Sequence, residues 1–349
     1  MGVTALRTGT AAAISRPANP RDEIAAGLAA LAPRLVPGAD GVQGLVRLSG
    51  GASQETWAFA AAGPDGPVPL VLRRAPGGFR QHDSAAGLEV EAAVIGAAGA
   101  AGVPVPHVLH VLSPEDGLGR GFVTARIEGE TIARRILRDR AYDAVRPRLA
   151  GQCGAVLAAI HRVDPAALPP LRLLPARTQL DQLRDRWHAG GLARPVFELA
   201  FHWLDRHCPP DPVRPVLVHG DFRNGNLIVG PEGIRAVLDW EVTHLGDPLE
   251  DLAWICVNSW RFGEIDRPVG GFGSREALLA GYRGAGGDAV DAAGLHFFEV
   301  LGSLRWGIAC AGMVETFRSG ADASVERAMI ARRASETEID LLTLLLPRS

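Results

Sequence analysis

Between positions 217 and 241 the chain reads LVHGDFRNGNLIVGPEGIRAVLDWE, and this stretch restricts its fold more than any other. Three apolar runs, 217–218, 227–229 and 236–238, are too short for helices and are bounded by turn-forming residues, which predicts strands. The tetrapeptide Gly230-Pro231-Glu232-Gly233 predicts the turn that folds the second run back onto the third. Such a hairpin brings Asn226, just before one strand, beside Asp239, just after the other. Asp221 lies five residues before Asn226, and Asp239 lies thirteen after it.

Those residue types suit phosphoryl transfer. A carboxylate can orient and deprotonate an attacking hydroxyl, while an Asn and an Asp can offer oxygens to magnesium ions bridging nucleotide phosphates. His219-Gly220-Asp221 with Asn226, followed by Asp239, resembles the catalytic loop and metal-binding segment of the aminoglycoside phosphotransferase family. These are choline kinase-like small-molecule kinases related to the protein kinases. The pattern departs from the protein-kinase H-R-D-L-x-x-x-N and D-F-G in having Gly220 between His and Asp, and Trp240-Glu241 after the second Asp.

The resemblance implies an α+β, two-lobed protein-kinase-like fold. A flexible tail over 1–21 would precede a small antiparallel-sheet N-lobe over 22–126 and a larger, mostly helical C-lobe over 127–349. It also implies transfer of the γ-phosphate of ATP or GTP to a hydroxyl of a small molecule, with Asp221 as catalytic base and Asn226 and Asp239 holding Mg2+. His219 is expected to support the loop. The residues leave open a second reading, a nucleotide-binding pseudokinase or regulatory module without turnover.

All 36 basic residues are arginine, because the chain has no lysine. A Walker A phosphate loop and Schiff-base chemistry are therefore excluded. An arginine must also stand wherever the family uses a lysine. Residues 22–35 carry Ile24, Leu28, Leu31 and Leu35 at helical spacing. A strand (45–48), a Gly-containing loop (49–55) and a second strand (56–60) follow, an arrangement that can lay backbone amides over phosphates, with Ser53 in the loop. In LVLRR at 70–74, alternation puts Val71 and Arg73 on one face and Leu70, Leu72 and Arg74 on the other. The resemblance aligns Arg73 with the phosphate-binding basic residue and pairs it with a carboxylate on the next helix. Glu91 is the candidate and Glu89 its rival; a solvated strand-end cation is the plainer role for Arg73.

GFVTARIEGETI at 121–132 reads as a strand ending in a turn. By resemblance it is the hinge, where the backbone of Thr124, Ala125 and Arg126 would meet the adenine edge. From about 133 to His161 the pattern turns helical, 165–175 is a proline-rich connector, and 178–208 is helical with a break near Gly190-Gly191. After Asp239 a helix is expected almost at once, with Asp247 and Asp251 in capping and dipole roles rather than as catalytic acids. Only a short span separates Asp239 from that helix, which favours a small-molecule acceptor over a peptide. The aromatic, Gly-rich segment 258–282 is the expected acceptor loop. Trp260 and Arg261 in it, and Arg305 on the nearly all-apolar helix downstream, are the substrate candidates, the arginines suiting an anionic or acyl-carboxyl group unless they form ion pairs with acids such as Glu299 or Glu264. In this region the chain is more similar to the kinase-like domain of certain acyl-CoA dehydrogenase fusion proteins than to antibiotic kinases.

A formal net charge of −3 argues against a nucleic-acid surface. Cys153, Cys208, Cys256 and Cys310 are widely spaced, which predicts reduced thiols rather than a disulfide or zinc framework. No signal-peptide pattern or bilayer-length apolar run stands out, so the expectation is a cytoplasmic protein with no membrane partner.

Overall fold

The computed structural model describes residues 20–50, 54–75, 86–191, 193–320 and 324–346. Helix α1 (Pro20–Leu35) buries Ile24, Leu28, Leu31 and Leu35 along one face. It begins at Pro20, inside the stretch expected as tail; a proline suits a first turn because its missing amide would have had no helical partner. Strands β1 (Val42–Gly50), β2 (Glu55–Gly63) and β3 (Gly66–Ala75) form an antiparallel meander. After α2 (Leu88–Ala100) come β4 (Val108–Val111) and β5 (Arg120–Ala125), and the sheet order is β1-β2-β3-β5-β4.

Alternation along β3 sorts its side chains between two layers. Leu70 and Leu72 are fully buried in a cluster with Leu28 and Leu31 of α1. Arg74, on the same side, bonds Glu55 (3.0 Å) and the Leu118 carbonyl (3.1 Å). Arg73 turns to the opposite face, towards α2 and the lower lobe.

The larger lobe is mostly helical: α3 (Ala133–Arg138), α4 (Leu149–His161), α5 (Ala176–Ala189), α6 (Pro195–His207), then β6 (Val216–Val218), β7 (Leu227–Gly230), β8 (Gly233–Val237) and β9 (His244–Gly246), and finally α7 (Leu249–Trp254), α8 (Arg275–Gly284), α9 (Ala292–Arg318), α10 (Val325–Ala331) and α11 (Ala334–Leu345). The architecture is the two-lobed, protein-kinase-like α+β fold. Gly154 lets α4 and α8 touch through their backbones, since a Cβ there would lie 2.0 Å from the Leu278 carbonyl oxygen.

Three expectations need correction. The helical pattern over 133–161 is broken into α3, two single 3-10 turns and α4; Pro147 cannot continue a helix, and Arg146 closes the break by bonding the carbonyls of Ile136 and Asp139. The helix expected after Asp247-Pro248 is present as α7, but 244–246 before it is a strand, β9, paired with β6, Val218 opposite His244. Helix α9 does contain an apolar stretch long enough to cross a bilayer by length and composition. Its apolarity has another use here: it is the central core helix, packed against α6, α7, α10 and α11. The four cysteines are thiols, and burial pushes Cys256 up to about 12.

Candidate active site

The loop joining β6 to β7 is fixed by its backbone before its side chains act. Gly220 has φ +80, and a Cβ there would sit 3.0 Å from the Val242 carbonyl oxygen, so only glycine fits between His219 and Asp221. His219 is fully buried against Trp240. Its Nδ1 accepts from the Asp221 amide (3.1 Å), and its Nε2 donates to the Leu238 carbonyl (3.0 Å), an arrangement that requires the Nε2–H tautomer. The imidazole thus ties the loop to the end of the β7–β8 hairpin.

The Asp221 carboxylate faces a cavity of about 260 Å3. Its Oδ1 accepts from Trp254 Nε1 (2.8 Å), and its Oδ2 from Asn226 Nδ2 (2.6 Å). Arg223 Nε lies 3.1 and 3.2 Å from the two oxygens. Asn226 also gives its Nδ2 to the Asp221 carbonyl (2.9 Å), which commits the amide nitrogen and turns its oxygen elsewhere. Because the Leu238 amide donates to the Asn226 carbonyl (2.8 Å), the hairpin holds Asn226 beside the segment that carries Asp239. Asp239 itself has φ +67, a left-handed backbone rare outside glycine and tolerated by Asp.

Arg73 gathers three carboxylates. Its Nη2 bonds Asp239 (2.9 Å) and Glu241 (3.2 Å), and its Nε lies 3.2 Å from Glu91. The last contact lacks hydrogen-bond alignment, so Arg73 Nε and Glu91 Oε2 are both buried without a hydrogen-bond partner. Burial opposes the charge on Arg73, but Glu91, Asp239 and Glu241 more than offset it and hold its pKa above the ordinary value. One cation cannot neutralise three anions. Burial, together with Asp239 and Glu241, lifts Glu91 to about 7 despite Arg73, and burial and Asp239 raise Glu241 as well. Glu89, the rival for Arg73, instead pairs with Arg120 at the surface.

Among the described residues this cluster carries excess negative charge but no group of three or more His, Cys, Asp or Glu side chains set to hold a metal; Asn226 and Asp239 are the oxygen donors that could hold a hard divalent cation. For a nucleotide, the amides of Ala125 and Arg126 are already donated to the His107 (2.9 Å) and Pro69 (3.1 Å) carbonyls. Thr124 lies mid-ladder, opposite both Val71 and Val108. Two of the three backbone amides expected at the adenine edge are thus engaged by carbonyls in this structure. Ser53 lies outside the described residues.

The cavity lies in the helical lobe, and of the segments expected around the acceptor the apolar helix carrying Arg305 lines it while the 258–282 segment does not. Its walls are the 172–174 segment, one face of α5 (Gln179, Gln182, Leu183, Arg186), residues 241–244, Trp254, and one face of α9 (Leu301, Arg305, Trp306, Ala309). Trp260 is buried between Trp254 and Trp306 rather than lining it. Arg261 turns away to the Cys256 carbonyl and to Glu299, which it shares with Arg275. The 258–282 segment is held against the core, the Gly270 amide donating to the Ile255 carbonyl. Of the three substrate candidates only Arg305 reaches the cavity. There it bonds Glu250 (3.1 Å) and the Gly220 carbonyl (2.9 Å) and stacks over Trp254, its guanidinium carbon 3.8 Å from the ring centroid.

Sequence reading missed the supports beneath the site. Asp247 does cap α7, accepting from the Leu249 amide (2.8 Å). Asp251 does not cap. Fully buried, it accepts from the backbone amides of His219 (2.8 Å) and Gly220 (2.9 Å) and lies 3.3 Å from His161 Nε2. Burial works against its charge, but these donors bring its pKa below the usual carboxylate value. Glu250 is likewise lowered against burial, chiefly by His244, whose own pKa rises in return. The available signal was the acidic pair Glu250-Asp251 inside an otherwise apolar run, LEDLAWI.

Residues 44–287 match the phosphotransferase enzyme family, most of the chain. The chain belongs to that family. Among curated proteins it is similar to mouse acyl-CoA dehydrogenase family member 10, 33% identical over 199 residues (54% of this chain, 18% of that protein). It is also similar to chicken acyl-CoA dehydrogenase family member 11, 28% identical over 270 residues (69% and 34%). The chain thus spans about a fifth to a third of the length of these relatives. A candidate aminoglycoside phosphotransferase of Ralstonia eutropha superposes with a TM-score of 0.70 at 21% identity, over 91% of this chain and 97% of its own. A thermostable mutant of aminoglycoside phosphotransferase APH(4)-Ia, solved with AMP-PNP and hygromycin B, gives 0.59 at 18% identity, over 88% and 96%. Both share the fold of the family.

Proposed function

We propose that this phosphotransferase is a magnesium-dependent kinase of a small molecule, moving the γ-phosphate of ATP or GTP to a hydroxyl of an acceptor held in the cavity beside Asp221. The observation that carries this reading is the position of the Asp221 carboxylate. It stands on the cavity wall, partly exposed, within the electrostatic reach of the Arg73–Asp239–Glu241 cluster. An acceptor hydroxyl in the cavity meets a base on one side and, on the other, a cluster suited to a magnesium-nucleotide.

Asp221 would take the hydroxyl proton as the phosphoryl group transfers. Arg73 would hold phosphate oxygens with its planar fork, a role a guanidinium can fill where related enzymes use an ammonium. Asn226 and Asp239 would hold Mg2+, whose contribution is to neutralise charge on the phosphates. Glu91 would orient Arg73, and the division into lobes near residue 126 would put the nucleotide between sheet and helices.

The cavity wall carries Arg172, Arg186 and Arg305 with Trp254, Trp306, Leu183 and Leu301. Asp221 and Glu241 share that wall and Arg305 is paired with Glu250, so the lining is mixed in charge, and its indole and leucine surfaces suit an acceptor with an apolar body. The test is a screen of hydroxyl-bearing metabolites and acyl thioesters for magnesium-dependent ADP or GDP release, with aminoglycosides as a control set. Asp221→Asn is expected to lower transfer at least about a hundredfold while nucleotide affinity stays within a few fold. A variant retaining more than about a hundredth of the parent rate removes Asp221 as the base. A parent that binds nucleotide without any turnover leaves a nucleotide-binding module instead of a kinase.

A further inference from the structure

We infer that Trp254 is a positioning residue for the reaction, its indole N–H fixing the rotation of the Asp221 carboxylate; the inference rests on Asp221 being the base. A carboxylate turns easily about its terminal torsion, and a base is effective only when a free lone pair points at the proton it must take. Among the described residues three side chains donate to Asp221, and they are not equivalent. Asn226 belongs to the candidate cation site. Arg223 lies against both oxygens, with its guanidinium carbon 4.7 Å from the Trp260 ring centroid, and a cation shared by both oxygens does not select one rotation of the carboxylate. Trp254 donates from a neutral group, so it orients Oδ1 without neutralising the carboxylate.

Trp254 is also the donor whose place is best secured. It is 5% exposed, Arg305 covers one of its faces, and Trp260 packs on it at 5.2 Å between ring centroids. It follows Asp251 by three residues on α7, so both project from one side of that short helix. Asp251 grips the backbone of the catalytic loop at His219 and Gly220, while Trp254 grips the side chain one residue on. Arg305 ties the two grips together, bonding the Gly220 carbonyl while stacking on the indole. A cavity wall needs an aromatic ring at 254, but only a positioning residue needs its N–H.

The test is a double-mutant cycle on the full chain, read by single-turnover phosphate release to water from radiolabelled ATP with magnesium. The four proteins are the parent, Trp254→Phe, Asp221→Ala and the double variant. Phe keeps a ring under Arg305 and removes the N–H. The expected result is a roughly tenfold fall in rate for Trp254→Phe, with the half-saturating ATP concentration within about threefold of the parent. In the Asp221→Ala background the same change should alter the residual rate by less than about twofold, because Trp254 then has nothing to position. An equal factor in both backgrounds, or no fall in the first, overturns the proposal. Asp221→Ala at the parent rate overturns the reading of the base itself, which is a different outcome. If Trp254→Phe does not fold, benzothienylalanine at 254 replaces only the N–H by sulfur and carries the same expectations.

Discussion

Arg73 carries one positive charge among Glu91, Asp239 and Glu241, and much of the site's electrostatics turns on that imbalance. Arg74, its neighbour, is tied to Glu55 and a carbonyl on the other face of the sheet. Arg73→Ala is therefore expected to lower turnover about a hundredfold or more. Arg73→Lys should retain part of it, since a point charge replaces the fork but loses two-pronged contact. Arg74→Ala should stay within about threefold of the parent, as it leaves the cluster intact. Steady-state rates against magnesium-ATP check all three; a dead Arg74 variant beside a normal Arg73 variant would reverse the assignment. The facing of Arg73 was legible because strand alternation is local and strict. The choice between Glu89 and Glu91 was not, because two residues on a helix lie about 200° apart and only the packing of α2 on the sheet sets which one points inward.

Helix α7 shows why an element can be found in a sequence while its purpose is not. Its position after Asp247-Pro248 is written in local capping chemistry, and Asp247 does accept the Leu249 amide. Asp251 carries the same residue type but serves backbone groups on the β6–β7 loop and a histidine at the end of α4. Those partners lie 31, 32 and 90 residues away in sequence, and no local spacing encodes them. The cavity beside Asp221 was not legible for the same reason: its walls come from α5, α7 and α9, each amphipathic or apolar in its own right, and their meeting is a tertiary event. Asp251→Ala would leave two buried amides without an acceptor, each costing about 1–3 kcal/mol, so a stability loss of roughly 2–6 kcal/mol is expected. Denaturant unfolding reads it directly. A loss below about 0.5 kcal/mol, typical of a surface change, would mean that the loop does not depend on α7.

At the scale of the whole molecule, the two lobes meet through charge. Arg73 comes from the sheet, Glu91 from the helix behind it, and Asp239 and Glu241 from the helical lobe, so pH acts on the junction between them. Glu91 is raised from 4.5 to about 7, mainly by burial and then by the neighbouring acids. For an acid raised in this way the folded state keeps a proton that the unfolded chain has released, so stability falls as pH rises from about 4.5 to about 7 and the loss then levels off. Glu91→Gln removes that titration. The variant should match the parent below pH 4.5 and become progressively more stable than it up to about pH 7, by a few degrees in Tm, while losing turnover because Arg73 is no longer drawn towards α2. Melting curves of both proteins from pH 4 to 8, without nucleotide or magnesium, decide it. A Tm difference that does not change across that range would mean that Glu91 is ionised throughout and that Arg73 serves it before Asp239 and Glu241. The junction would then be a balanced ion pair with two accessory acids, and a bound cation would relieve less charge than the cluster now implies.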